Sequence, residues 1–110
     1  MTRLRKLCLA LPEAYEEETW GEATFRVRGK IFVIGGDHDG GTTVSLKAAP
    51  GEQAALLAEA GPYFFPRYVG SKGWVGVDLR SSGLDWGELG ELVTESYRLV
   101  APKRLAALVG

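Results

Sequence analysis

Residues 24–35 constrain this chain most. Two β-type runs, 24–27 and 30–35, meet at Arg28-Gly29. Glycine takes a positive φ without steric cost, so that pair marks a tight hairpin turn. Phe25 and Val27 share one face of the first run, and Thr24, Arg26 and Arg28 share the other. Ile31, Phe32, Val33 and Ile34 are apolar on both faces, as in a central strand. Such a hairpin calls for further antiparallel strands beside it and for helices that cover its apolar face.

The covering helices are legible from their period. Leu4, Leu7, Cys8 and Leu11 recur at i, i+3, i+4 and i+7, which predicts a helix over 2–11 that Pro12 stops. Cys8 lies on the apolar stripe and reads as a buried structural thiol, not a nucleophile. A second helix is expected over 50–60, with Pro50 at its first position, Glu52 near its positive start and Gly61 beyond its end. Its buried side is Gln53, Leu56, Leu57 and Ala60. Asp85 caps a third helix, and Glu88 three residues on resembles the second half of a capping box. Trp86, Leu89, Leu92, Val93, Ser96 and Val100 form its apolar face; Glu88, Glu91, Glu95 and Arg98 form the wet one. Pro102 breaks it, and 103–108 adds a further short helical turn.

The remaining strands are a short first one at 14–20, one at 42–47 and one at 74–79. Glu16, Glu17 and Glu18 suit a solvated edge, where charge discourages unwanted pairing. Val44 and Leu46 point inward. Val75, Val77 and Leu79 face one way, and Trp74, Gly76 and Asp78 the other. The expected fold is therefore α+β: one domain over residues 1–110, an antiparallel sheet with helices packed on one face. The glycine-rich connection at 35–41 is no phosphate loop, because it lacks the Gly-Lys-Ser/Thr ending and no helix follows it. His38 within it reads as a polar hairpin tip.

A net charge of −1 and a pI of about 5.8 are unusual for a nucleic-acid binder, which ordinarily carries a basic excess. The one cysteine excludes an internal disulfide and a multi-cysteine metal site. No segment reaches the ~20 apolar residues of a membrane helix, and no signal peptide is read at the N-terminus. A cytoplasmic location is the expectation, with no cofactor.

Several segments in order resemble the MmcQ/YjbR family. They are Leu11-Pro12 after a first helix, residues 21–32 (GEATFRVRGKIF), Ser45-Leu46-Lys47, Phe65-Pro66-Arg67-Tyr68, Lys72-Gly73-Trp74-Val75, and residues 95–103 (ESYRLVAPK). The resemblance covers nearly the whole length. It implies a compact α+β fold with paired wing-like hairpins, similar to secretion-chaperone-like domains, and DNA binding, the role for which family members are commonly described.

Residues 63–77 focus the functional reading, with five aromatics, two cations and three glycines. Arg26, Arg28 and Lys30 sit where a wing meets phosphates. Arg67 and Lys72 flank the aromatic loop, and Tyr68 and Trp74 are candidates to stack on bases, with Trp74 either a platform or a floor beneath Tyr68. These seven are the expected nucleic-acid contacts. The alternative is a protein-interaction module or homodimer that uses the uncovered sheet face through Ile34, Phe32 and Trp74. Catalysis is not expected: Ser71 and Lys72 diverge as neighbours on an extended segment, and no carboxylates are paired by a recognisable pattern.

Overall fold

The computed structural model describes residues 2–19, 21–36, 43–59 and 61–109. The elements run α1 (Thr2–Leu9), β1 (Tyr15–Thr19), β2 (Glu22–Val27), β3 (Lys30–Gly36), β4 (Thr43–Lys47), α2 (Glu52–Leu57), β5 (Tyr63–Phe64), β6 (Trp74–Asp78), α3 (Trp86–Val100) and α4 (Lys103–Ala106). The strands form one antiparallel sheet in the order β1-β2-β3-β4-β6-β5. The expected α+β architecture is present. The tip of the glycine-rich connection, with His38, lies outside the described residues, as do Trp20 and Ala60.

The hairpin turn has the predicted chemistry. Arg28 and Gly29 both carry positive φ, 51° and 81°, the backbone of a turn that follows the sheet's twist. The acidic strand β1 lies at one edge of the sheet, where its charges meet water. β6 lies between β4 and the two-residue β5 although β5 precedes it in sequence. Its Val75, Gly76 and Val77 are all buried, which suits an interior position; β5 lies between Pro62 and Pro66 and takes the other edge.

The register between β2 and β3 decides which side chains reach the core. Phe25 pairs with Val33, and the next residue, Arg26, pairs with Ile31, so Phe32 is one extra residue on β3. A bulge of this kind turns two consecutive side chains toward one face. Phe32 and Val33 are accordingly both fully buried. Phe32 meets the ring of Tyr97 on α3 edge-on, with centroids 5.5 Å apart. Sequence alternation had placed Phe32 on the uncovered face with Ile34; the bulge moves it under α3.

The core joins Phe25, Val27, Phe32, Val33, Val44, Leu46, Val75 and Val77 of the sheet to Leu4 and Cys8 of α1, Leu56 of α2, Leu89, Leu92, Val93 and Tyr97 of α3 and Leu105 of α4. All of these strand residues share one face by register, so every helix packs on that side. Two helix ends differ from expectation. α2 starts at Glu52 behind a left-handed Gly51 (φ 85°), so Pro50 precedes the cap instead of opening the helix. Asp85 caps α3 through bonds from the Gly87 and Glu88 amides, but Glu88 does not close a capping box: its carboxylate accepts the Tyr63 hydroxyl of β5. That bond, with burial as the larger cause, raises the Tyr63 pKa.

Ser96 fastens α3 to the sheet. Its hydroxyl donates to the Phe32 carbonyl at 2.6 Å and accepts from the Lys47 amide at 2.9 Å. The β3–β4 ladder stops one pair earlier, at Val33 and Leu46, so the serine satisfies the two backbone groups that the bulge separates. Ser96→Ala is expected to lower unfolding stability by about 1–3 kcal/mol, the cost of a buried polar group left unmatched. Urea denaturation of the two proteins checks this.

Candidate functional site

Lys30 opens β3, Lys47 closes β4 opposite Trp74, and Trp74 opens β6. The Arg28-Gly29 turn, these residues and the 65–73 loop therefore gather at one end of the sheet. Lys30 and Trp74 lie two strands apart at that end, Lys30 paired with Val27 and Trp74 with Lys47. Topology thus brings the two predicted halves of the site to the same end.

Their charges are disposed differently. Arg28 forms a fork with Glu13, with Nε at 2.6 Å from Oε1 and Nη2 at 3.1 Å from Oε2. Both partners hold left-handed backbone, Glu13 at φ 59° and Arg28 at φ 51°. The guanidinium's hydrogen bonds hold the Glu13 carboxyl below the usual carboxylate range, and Arg104 adds to this through its charge. Arg26 is largely withdrawn from solvent. It donates from Nη2 to Thr19 at 2.9 Å and from Nε to Thr24 at 3.2 Å, and lies 3.4 Å from the Glu17 carboxylate. The hairpin arginines are thus bound to acids of the β1 side. Lys30, Arg67 and Lys72 are exposed and form no hydrogen bond or ion pair with a described side chain.

The loop that carries Arg67, Tyr68 and Lys72 is held from several sides. Gln53 of α2 donates from Nε2 to the Gly70 carbonyl at 2.7 Å and to the Trp74 carbonyl at 2.6 Å. The Gly70 amide donates to Pro66, Lys72 to Val69, and Gly73 to Gly70. A short 3-10 turn, Gly70–Lys72, precedes β6. Within this frame Tyr68 stands on left-handed backbone (φ 65°) with 87% of its surface exposed. Trp74 is half-buried on the uncovered sheet face, as its alternation with Val75 and Val77 implied. Two further rings rest on glycines. A Cβ at Gly76 would stand 2.4 Å from the Phe64 ring, and one at Gly70 would stand 2.5 Å from the Phe65 ring. Phe65 remains 59% exposed. Phe64 and Phe65 were not among the predicted contacts, although a glycine inside a strand, Gly76, signals a close approach of this kind.

Register assigns Ile31, Ile34, Ser45, Trp74 and Phe64 to the face without helices, beside Thr24, Arg26 and Lys47. Cys8 is fully buried on the other side, and burial, with the Glu16 charge, pushes its thiol up to about 12. It is inert as a nucleophile near neutral pH. No group of three or more His, Cys, Asp or Glu among the described residues is placed to hold a metal ion, and none of their helices is long and apolar enough to cross a membrane.

A single antiparallel sheet, covered by helices on one side and ending in an aromatic, cationic loop, defines the class of domain. The chain belongs to the YjbR family, whose profile matches residues 9–99. It is similar to the crystal structure of Deinococcus radiodurans protein DR2400, which carries a DUF419 domain, with a TM-score of 0.79 and 25% identity over 90% of this chain and 76% of that one. It shares its fold with a protein from Pseudomonas syringae, with a TM-score of 0.65 and 19% identity over 90% of this chain and 98% of that one. No curated protein matches it.

Two outcomes follow from this geometry. Gly76→Ala must lift Phe64 off the sheet and is expected to cost about 1–3 kcal/mol in thermal or urea unfolding, as overpacking does. For Glu13 the folded pKa is depressed, so its bond to Arg28 is complete above the ordinary glutamate pKa and is lost as pH falls through the lowered value. In Arg28→Gln the Glu13 carboxyl should titrate higher than in the parent, as carboxyl-carbon NMR can follow.

Proposed function

We propose that this protein binds nucleic acid without catalysing a reaction, through the 65–73 loop, with Lys30 at the same end of the sheet. The observation that carries this reading is Tyr68: an aromatic ring held out in water on a hydrogen-bonded loop, between two exposed cations, Arg67 and Lys72, that form no ion pair with a described residue. Exposed rings beside cations suit an unpaired strand, whose bases stack on aromatics for ~1–3 kcal/mol each and whose phosphates meet the cations. Phe65 offers a second ring. Arg26 and Arg28 have a smaller part here than the hairpin's composition implies, because carboxylates already engage them. The Arg28 pair is exposed, and exposed pairs are weak, so a phosphate can compete with Glu13 for that guanidinium. A charge of −1 fits a contact confined to one end of the molecule.

Fluorescence anisotropy with a labelled single-stranded oligonucleotide tests the reading. Three phosphate contacts give a slope of log Kobs against log salt of about −2. Tyr68→Ala should weaken binding by roughly 5- to 150-fold, the equivalent of one lost stack. Arg26→Gln should leave affinity nearly unchanged, and Glu13→Gln should strengthen it by freeing Arg28. A salt-independent affinity, or one indifferent to Tyr68→Ala, would refute the proposal.

A second reading rests on the uncovered sheet face. Ile31, Ile34, Phe64 and Trp74 are partly exposed there, in two groups that Ser45 and Lys47 of β4 separate by register, and apolar surface of this kind suits protein binding or self-association. A monomer in sedimentation at high concentration would count against self-association.

A further inference from the structure

The chain leaves the sheet at Phe64, the end of β5, and returns at Trp74, the start of β6, so these two rings are the feet of the aromatic loop. We infer that an unpaired nucleic-acid strand held at Tyr68 continues onto the helix-free face of the sheet, where its next bases stack on Trp74 and Phe64 and a phosphate meets Lys47. The inference rests on the nucleic-acid reading above and adds to it a path and a strand type. Phe64 pairs with Gly76, Gly76 shares its face with Trp74 two residues earlier, and Trp74 pairs with Lys47. Lys47, Trp74 and Phe64 therefore belong to one patch of the open face, with the two rings as diagonal neighbours, a spacing that aromatic side chains span. Gly76 has no side chain to lift Phe64, whose ring lies over it and keeps 37% of its surface exposed. A ring backed by the sheet on one side offers its other side to a base at little ordering cost.

Charge confines the path to this part of the face. Lys47 forms no ion pair with a described residue, and Ser45, opposite Gly76, is neutral. The acids that register assigns to the open face lie elsewhere. Glu17 and Glu22 are on β1 and β2, beyond β3, and Asp78 at the far end of β6 accepts the Arg80 amide with the Arg80 guanidinium beside it. Glu17 already neutralises Arg26. A phosphate chain is thus admitted over β4, β6 and β5 and repelled toward β1. Such a face takes bases that are free to unstack, because rings offer stacking to the flat side of a base. A duplex hides those sides and shows only base edges in its grooves.

Anisotropy titrations with labelled oligothymidylates of about three and about nine residues, and with the longer one annealed to its complement, test the path. The longer single strand should bind more tightly than both the short one and the duplex. Trp74→Leu and Phe64→Leu, which keep an apolar side chain, should each weaken the longer strand roughly fivefold or more and leave the short one nearly unchanged. Lys47→Gln should flatten the salt slope of the longer strand by about 0.7. Photocrosslinking of the unaltered protein to a strand carrying 4-thiothymidine at its ends should give adducts at Phe64 or Trp74, read by peptide mass spectrometry. Crosslinks confined to 65–73, equal affinity for duplex and single strand, or Leu variants that bind the longer strand like the parent would overturn the inference; if Tyr68→Ala still weakens binding, the loop reading survives. Loss of a dimer in sedimentation of Trp74→Leu, with strand affinity unchanged, would assign the face to a second copy and overturn it equally. No binding to either single strand would overturn both readings.

Discussion

The extra residue at Phe32 is the feature on which the arrangement depends. Regular alternation would turn either Phe32 or Val33 to the open face, and α3 would lose an anchor. The bulge points both inward, and Phe32 then meets Tyr97 while Val33 joins Phe25 and Leu46. The same irregularity leaves a carbonyl and an amide without each other at the end of the β3–β4 ladder. Ser96 occupies that gap and ties helix to sheet at a fixed level. Burial of polar backbone groups is tolerated there because one hydroxyl both donates and accepts.

The fully buried apolar residues of the sheet are thereby directed to one side, and what remains on the other is mixed: Thr24, Arg26, Ser45 and Lys47 among Ile31, Ile34, Trp74 and Phe64. The charges divide along the same logic. β1 is acidic and pairs with β2, so Glu17 lies beside Thr24 and close to Arg26. Glu13, just before β1, meets Arg28 at the hairpin turn. The cations farther along the sheet end, Arg67 and Lys72, have no acidic strand next to them. Proximity to β1 explains why the hairpin arginines are neutralised while the loop cations are not.

The aromatic loop is held by contacts that lie partly outside it. Gln53 comes from α2, Phe64 rests on Gly76 of β6, and Phe65 rests on Gly70. These contacts leave Tyr68 as the most exposed ring of the loop. A left-handed tyrosine is costly on its own, of order 1–3 kcal/mol, and persists where the surrounding structure over-determines it. The hydrogen bonds of the 66–74 segment supply that constraint.

Local rules were enough for much of this. Arg28-Gly29 specifies a hairpin because glycine accepts positive φ, and Asp85 specifies a helix start because its carboxylate satisfies free amides; both effects act over a few residues. The stripes of α1 and α3 follow from a 3.6-residue period, and Cys8 could be placed inside because it lies on one. Seven candidate residues for the site could be named, and the loop singled out as their focus. Their charge state could not, because Glu13 and Arg28 are fifteen residues apart and meet only when β1 and β2 pair. The bulge at Phe32 has no local signature, since Ile31 through Ile34 are apolar whichever way they point; it is set by the fit of Phe32 and Val33 beneath Tyr97 and Ser96. The placement of β6 inside β5, and the diversion of Glu88 from Asp85 to Tyr63, likewise belong to tertiary structure. They depend on partners distant along the chain, whose positions are fixed by packing rather than by sequence spacing.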